Sequence, residues 1–345
     1  MKKSLTALAV LGVFAGSAMA ADVTLYGALD TGFEYFHKKT TQYDGSSEKS
    51  DTFDMQTGWD TGNRWGLKGS EDLGNGYKVS FKLESGFNGD DGTMGQGSRL
   101  FGREAGLTLS GPFGSVAFGR FGGIASSCGT YDMLGYVESF DGGDGDVWGF
   151  AASDRYDNMV VYQTPRFAGL QLTAQYSFKT DSKDDAKYTK NADGSFDPHY
   201  SGDEGTSHAK RYASVGLSGE YGPASFAVGY ELTKYGVNEA ASNVLPGDGR
   251  QLDKDGHLVF IGGNYDLEVV QLFAEAQYFK NQTATATVDA VGDRGLKGYG
   301  LHVGAAAPIG AGTLTAGLYY ADFSDEEVAE NVDRDYTYYL SLIHI

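Results

Sequence analysis

Residues 170–179 read LQLTAQYSFK, and the alternation in this stretch decides the fold class. One parity is apolar or aromatic from Leu170 to Phe178, and the other is polar from Gln171 to Lys179. Successive side chains of a β-strand point to opposite faces, so the stretch predicts a strand with one apolar and one polar face. A face that is polar from end to end does not suit the core between two packed sheets, where each unsatisfied polar group costs ~1–3 kcal/mol. It suits a wall that borders water.

The same alternation recurs along the chain and predicts fourteen strands. They begin at Val23, Arg64, Tyr77, Arg103, Ser115, Asn158, Leu170, Tyr212, Ala224, His257, Val269, Tyr299, Thr313 and Tyr336. The connections alternate between short turns and long polar loops, and the long loops cover residues 37–57, 88–99, 121–156, 180–209, 236–255, 281–297 and 322–334. This alternation predicts an all-β fold, a transmembrane up-and-down antiparallel β-barrel with tight turns at one end and large loops at the other.

The beginning of the chain has the pattern of a secretory signal peptide. Lys2 and Lys3 precede a short apolar run, which ends in small residues before Ala21. We therefore expect residues 1–20 to be a signal peptide and residues 21–345 to form one barrel domain. Removing Lys2 and Lys3 changes the formal net charge from −19 to −21, which argues against nucleic acid or anionic surfaces as partners.

The composition agrees with a β-rich membrane wall. The chain contains 51 glycines, 23 tyrosines and 20 phenylalanines but only 6 prolines, and its hydrophobic fraction of 41% is ordinary. A membrane protein of ordinary hydropathy requires wall segments with one polar face, as in a barrel with a wet interior. The chain has one cysteine, Cys128, so an internal disulfide is excluded.

Several motifs carry a resemblance to a known family. They are DVTLYGALDTG at residues 22–32, RWGLKGSEDLGNG at 64–76, REAGLTLSGPFGSVAFGR at 103–120, TYDMLGYVESF at 130–140 and NMVVYQTPRFAGL at 158–170. With these motifs the sequence resembles the general, non-specific porins of Gram-negative outer membranes. The resemblance implies a barrel of sixteen strands, a homotrimer packed through the barrel walls, and contact with outer-membrane lipid and lipopolysaccharide. It also implies that the third long loop folds inward and narrows the pore.

The third long loop, residues 122–155, is strongly acidic and is the expected constriction loop. Its acids include Asp132, Glu138 and Asp141, and no basic residue occurs in it before Arg155. The family match of TYDMLGYVESF favours positions near the pore for Asp132 and Glu138, and we assign Asp141 to the same acidic edge. The alternative is an acidic loop that is simply solvated outside the barrel.

Basic residues are expected on the opposite wall. Trp65 and Leu67 form the apolar parity around Arg64, so Arg64 is predicted to face inward, and the same parity argument applies to Lys82. The resemblance also favours Arg103 and Arg120 as pore-wall residues. Strict alternation groups each of them with apolar neighbours, so an inward position requires a β-bulge or a wall buried against other subunits. The alternative for both is an arginine in a surface salt bridge.

These features predict a water-filled channel for passive diffusion of small hydrophilic solutes and ions, with no catalytic step and no cofactor. A mild cation preference is expected because the loop acids outnumber the inward bases. Three alternatives stay open. They are a channel selective for a sugar or a small anion, an outer-membrane hydrolase, and a secreted β-sandwich binding protein. A hydrolase requires a base on the inner wall, and His302 is the histidine with inward parity.

The last residues differ from the family pattern. Family members end in an aromatic residue, usually phenylalanine, on a strand that closes against the first, whereas this sequence ends in SLIHI. From fourteen predicted strands and this ending, we expect that the last two strands of a sixteen-stranded barrel are missing, through truncation or an artefact in the reading frame. The alternative is a true fourteen-stranded barrel.

Overall fold

The computed structural model describes residues 22–41, 46–58, 61–126, 128–139, 154–183, 204–206, 209–235, 255–282, 296–325 and 334–344. Most of these residues lie in β-strands. Within these ranges, no helix has the length and apolar character that crossing a membrane requires.

The described residues form sixteen strands and two short helical turns. The strands are β1 (Asp22–Ala28), β2 (Thr31–Thr41), β3 (Ser47–Thr57), β4 (Arg64–Gly74), β5 (Tyr77–Gly86), β6 (Glu104–Gly111), β7 (Gly114–Gly122), β8 (Arg155–Gln163), β9 (Leu170–Ser177), β10 (Arg211–Tyr221), β11 (Ala224–Lys234), β12 (Gly256–Asp266), β13 (Gln271–Gln282), β14 (Leu296–Ile309), β15 (Gly312–Asp325) and β16 (Arg334–His344). The helical turns are α1 (Gly95–Ser98) and a 3₁₀ turn (Leu134–Tyr136).

Fourteen of the strands form one antiparallel sheet in which neighbours in space are neighbours in sequence. Its order is β1, β4 and then β5 to β16 without a crossover, while β2 and β3 form a separate hairpin. Each predicted strand has a counterpart in this sheet and the order confirms the up-and-down topology, but the hairpin brings the described strands to sixteen, two more than the fourteen predicted. β1 and β16 are the two ends of the sheet, and within the described residues they are not paired with each other.

The hairpin β2–β3 differs from the prediction of a long loop over residues 37–57, and that prediction is wrong. β3 reads SEKSDTFDMQT and is exposed over most of its length, so it lacks the apolar parity by which the other strands were recognised. The single strand predicted from Val23 is also interrupted, after Ala28. At the interruption the Asp30 carbonyl accepts a 2.9 Å hydrogen bond from the Gly58 N–H, and Asp30 Oδ2 accepts one of 3.0 Å from the Thr61 N–H.

The two faces of the sheet differ as the sequence predicts. On β9, Thr173 and Ser177 are fully buried although they are polar, whereas Leu172 on the other face is 37% exposed. The apolar parity of the neighbouring strands is likewise exposed, as at Val215 and Ile261. The sheet therefore has an exposed apolar face, suited to lipid, and a polar face that is covered from within.

The short turn between β4 and β5 has the backbone conformation of a tight hairpin. Between β4 and β5, Asn75 and Gly76 have φ of 54° and 79°. Two consecutive residues in the left-handed region are what a tight hairpin turn of this kind requires, and Asn-Gly is the favoured pair. The turn pairs Gly74 with Tyr77, and beyond the register shift between Asp72 and Gly74 the two strands place Arg64 opposite Gly86.

Candidate functional site

The chain after β7 covers the polar face of the sheet and fills part of the interior. We call residues 123–126 and 128–139 the inward loop. Its Ile124, Met133 and Val137 are buried against a cluster from the wall, which comprises Ala227, Leu258, Phe260, Phe279, Leu296, Tyr319, Ala321 and Phe323. On β12, Leu258 and Phe260 are buried, whereas Val259 and Ile261, which alternate with them, are exposed. The wall residues of the cluster therefore point to the face opposite the exposed apolar one. Hydrophobic burial thus holds the loop inside the curved sheet.

Hydrogen bonds fasten the inward loop to the wall at several strands. The Ala125 N–H donates to Glu231 Oε1 over 3.0 Å on β11, and the Tyr136 carbonyl accepts a 2.9 Å bond from Asn264 Nδ2 on β12. At the far end, the Ser139 N–H donates to His302 Nε2 over 3.1 Å on β14. The inward loop is therefore attached to the wall at three points along its length, on β11, β12 and β14.

Glycines on the inner wall make room for this loop. A Cβ at Gly216 would lie 2.5 Å from Met133 Sδ, and one at Gly262 would lie 2.9 Å from Val137 Cβ. A Cβ at Gly304 would overlap the hydroxyl of Ser139. Side chains at these three positions would push the loop away from the wall.

The acidic residues of the predicted constriction have different environments. Asp132 is partly exposed on the inward loop, and Glu138 is buried beside Ser139. Asp141 lies outside the described residues. Asp132 and Glu138 therefore both lie on the inward loop, which covers the inner wall.

A dense charged group occupies the wall at β5 and the start of β6. Lys82 Nζ lies 2.9 Å from Glu104 Oε2 and 3.5 Å from Glu84 Oε2. Arg103 Nε lies 2.8 Å from Glu84 Oε1, and the Thr130 hydroxyl of the inward loop donates to Glu104 Oε1 over 2.6 Å. Both carboxylates are almost completely buried, so their charges are compensated at close range.

The alternation of faces along β6 does not apply to Arg103, because Arg103 precedes the strand, which begins at Glu104. Its guanidinium lies within 2.7 Å of the point that a Cβ at Gly62 would occupy. Burial lowers the pKa of Arg103, and the positive charges of Arg155 and Arg64 lower it further, while Glu84 opposes them. Arg155 thus acts on the charge of Arg103, although sequence reasoning had not assigned Arg155 to the wall.

Arg120 lies at a β-bulge of the kind that its inward placement requires. The register of β7 against β8 shifts between Gly119 and Phe121. Arg120 Nε donates to the Gly102 carbonyl over 2.7 Å, and its NH1 lies 2.6 Å from Asp157 Oδ1. The arginine thus joins β7 to β8 and to the chain before β6.

A cavity of about 430 Å³ lies between the charged wall and the inward loop. Lys68, Lys78 and Lys82 line it from β4 and β5, and Thr130 and Tyr131 line it from the loop. Lys68 has the same inward parity as Arg64 on β4, and Lys78 has that of Lys82 on β5. The alternation in the sequence could therefore have predicted both lysines as wall residues. Among the described residues, no group of His, Cys, Asp or Glu side chains has the arrangement of a metal site.

The part of the inner face formed by β10, β11 and β13 is acidic. β10, β11 and β13 carry Glu220, Glu231 and Glu275 on the inward parity, and the described inward positions of these strands include no lysine or arginine. These glutamates lie on other strands than the lysines of β4 and β5, while Glu84 and Glu104 lie among the bases there and Glu220 pairs with Arg166 at 3.0 Å.

His302 contacts a serine but lies in a closed environment. The Ser139 hydroxyl is 3.2 Å from His302 Nε2, and His302 is paired with Glu275 across β13 and β14. His302 is only 1% exposed, so the pair has no access for a substrate and holds the loop instead.

Comparison with known proteins identifies the family. A profile described as Gram-negative porin matches residues 6–342. An outer membrane porin protein of Bordetella pertussis is 38% identical over 285 residues, which are 79% of this chain and 68% of that protein. Outer membrane porin protein 32 of Delftia acidovorans is 30% identical over 351 residues, which cover 99% of this chain and 86% of that protein.

Solved structures share the fold. An anion-selective porin from Comamonas acidovorans superposes with a TM-score of 0.54 at 24% identity, over 90% of this chain and 80% of that one. Salmonella typhi OmpF, in a complex with daunomycin, superposes with a TM-score of 0.59 at 20% identity, over 93% of this chain and 85% of that one. The sheet is thus the wall of a porin β-barrel. The chain belongs to the Gram-negative porin family, whose members are channels of the outer membrane and not enzymes.

Proposed function

We propose that the chain is a general porin, through which small hydrophilic solutes and ions diffuse passively, and that residues 122–155 form its constriction loop. The observation that carries this proposal is the inward loop, which packs on the inner wall and leaves a cavity beside the lysines of β4 and β5. Arg64, Lys82, Arg103 and Arg120 are the proposed basic wall residues, and Asp132, Glu138 and Asp141 the acidic ones. No catalytic step or cofactor is assigned.

Within this function we propose a mild cation preference. The inward loop carries Asp132 and Glu138 and no basic residue before Arg155, and β10, β11 and β13 add the inward Glu220, Glu231 and Glu275. Fixed negative charge raises the local concentration of cations in a narrow aqueous passage. The test is the reversal potential of the reconstituted protein across a potassium chloride gradient, and a sign that favours chloride would overturn the preference.

A small-anion channel is the second candidate. It is favoured by Lys68 and Lys78, which are exposed in the cavity, whereas Lys82 is held between Glu84 and Glu104. The Comamonas acidovorans porin that shares the fold is described as anion-selective. The same reversal-potential measurement separates the two candidates.

We further propose a homotrimer whose outer walls contact lipid and lipopolysaccharide, with residues 1–20 removed as a signal peptide. Exposed apolar residues on the outer face, such as Leu25 and Val303, support contact with lipid or with a second wall. Light scattering of the detergent-solubilised protein tests the trimer, and the intact mass tests cleavage before Ala21. A monomer, or a mass that includes residues 1–20, would contradict the respective proposal.

A further inference from the structure

One tyrosine of the inward loop reaches an ion pair at the short-turn end of the wall. The Tyr136 hydroxyl donates to Glu220 Oε1 over 2.8 Å and accepts a bond of 3.3 Å from Arg166 Nη2. Arg166 Nη2 itself lies 3.0 Å from Glu220 Oε1. The three side chains therefore contact one another pairwise, and we call them the latch.

The charged members of the latch lie at two neighbouring short turns. Arg166 is in the turn between β8 and β9, and Glu220 is the residue before the last of β10. The two turns are joined, because the Gly169 carbonyl accepts a 2.9 Å bond from Arg166 Nη1 and a 3.1 Å bond from the Glu220 N–H. Short turns of outer-membrane barrels face the periplasm. The latch therefore lies at the periplasmic mouth.

Tyr136 is held at two points of the wall that lie at one level. Glu220 on β10 is opposite Ser225 on β11, and Ser225 is opposite Asn264 on β12. The Tyr136 carbonyl accepts a 2.9 Å bond from Asn264 Nδ2. Its hydroxyl and its carbonyl are thus bound two strands apart, a separation of about 10 Å, and the residue lies across β11.

The inward loop descends toward the periplasmic mouth before it reaches the latch. Met133 packs beside Gly216 of β10, whereas the Tyr136 hydroxyl is bound at Glu220, which is about 13 Å further along the same strand. Gly135, next to the latch, is exposed, and a Cβ there would meet nothing within 4 Å among the described residues. The turn therefore has room to move away from the wall once the hydroxyl contacts are lost.

We propose that Tyr136 is a positioning residue, which the Arg166–Glu220 pair holds so that the inward loop narrows the periplasmic mouth. Without the hydroxyl, the turn keeps its bond to Asn264 and swings about it. The two charged side chains are 31% and 48% exposed, and such a pair contributes little to global stability. Its effect is therefore on the position of the loop and not on the barrel. This inference rests on the proposed role of residues 122–155 as the constriction loop.

The test is the one-sided exclusion of poly(ethylene glycols) of graded size from single channels of Y136F, which lacks only the hydroxyl. In Y136F larger polymers should enter from the periplasmic side, while the size limit from the other side should equal that of wild type. Excursions to a larger current level should become roughly tenfold more frequent, since hydrogen bonds to charged groups are the stronger ones. The matched control is Y265F. Tyr265 follows Asn264 but is exposed on the outer face, so Y265F should behave as wild type does.

A second variant, E220Q, tests the charged partner of the hydroxyl. Y136F and E220Q weaken the same contact, so E220Q should change the currents less in the Y136F background than in wild type. Equal periplasmic size limits of wild type and Y136F, an equal increase on both sides, or fully additive effects of the two substitutions would each overturn the latch. If wild type itself formed no channels, the proposed porin function would fall and the latch with it, whereas channels that Y136F leaves unchanged would refute the latch alone.

Discussion

Ser139 at the end of the inward loop donates its backbone N–H to His302 Nε2 on β14 over 3.1 Å. The Ser139 hydroxyl also lies 3.2 Å from the same nitrogen, and the imidazole stacks on Tyr319 with ring centroids 4.2 Å apart. One nitrogen thus serves two groups of the loop. His302 is therefore a main anchor for this end of the loop, together with the Ala316 carbonyl, which accepts a 3.4 Å bond from the Ser139 hydroxyl.

Replacing His302 should release this end of the loop. H302A leaves the Ser139 N–H without its acceptor, at a cost of about 1–3 kcal/mol, and opens space beside Tyr319. We expect a lower midpoint of thermal unfolding and noisier single-channel currents with larger open steps. H302Q retains a side-chain acceptor and should recover part of both properties. Identical current noise in wild type and H302A would show that this bond does not hold the loop.

The glycine beside the same contact provides an independent test. In G304A the new methyl group overlaps the Ser139 hydroxyl, so the loop end must shift and we expect larger or more variable conductance steps. The matched control is G135A, since a Cβ at Gly135 in the loop meets nothing within 4 Å. Currents of G135A should equal those of wild type. Equal currents from both variants would contradict tight packing at Gly304.

Strand faces are predictable from sequence because the pleat enforces a period of two. Over Leu170–Ser177 the parity alone separates the covered residues Thr173 and Gln175 from the exposed Leu172. The same argument failed for β3, whose residues are exposed on both faces and thus carry no alternation. Parity predicts a face only where the two environments differ.

The candidate site was less predictable, since its members depend on local irregularities. Arg103 precedes its strand, and Arg120 lies at the bulge between β7 and β8, so neither follows the parity of its apolar neighbours. The bond from Ser139 to His302 joins residues 163 positions apart, and no local pattern encodes such a contact. Lys68 and Lys78 did follow the parity and could have been assigned to the wall.

Selectivity should respond in opposite directions to the two partners of the Lys82–Glu104 pair, whose atoms are 2.9 Å apart. K82Q removes a positive charge from the cavity and should shift the reversal potential toward cations. E104Q leaves Lys82 less neutralised and should shift it toward anions. K38Q, on the β2–β3 hairpin, is the control and should not shift it. Shifts of the same sign in K82Q and E104Q would exclude a direct effect of these charges on permeating ions.

Asp157 should be the most sensitive charge outside the cavity, because it serves two arginines. Its carboxylate lies 2.6 Å from Arg120 NH1 and 3.4 Å from Arg99 NH2, and it accepts a 2.8 Å bond from the Ser182 N–H. The three charged side chains are only 12–17% exposed, and breaking a buried pair by removing one partner costs about 3–5 kcal/mol. D157N should therefore lower the thermal midpoint markedly. D181N is the matched control: Asp181 also pairs with Arg99 but is 51% exposed, and exposed pairs contribute only about 0–1 kcal/mol. Equal stability of D157N and D181N would mean that burial does not strengthen the Arg120–Asp157 pair, and that the bulge at Gly119 is held by the backbone alone.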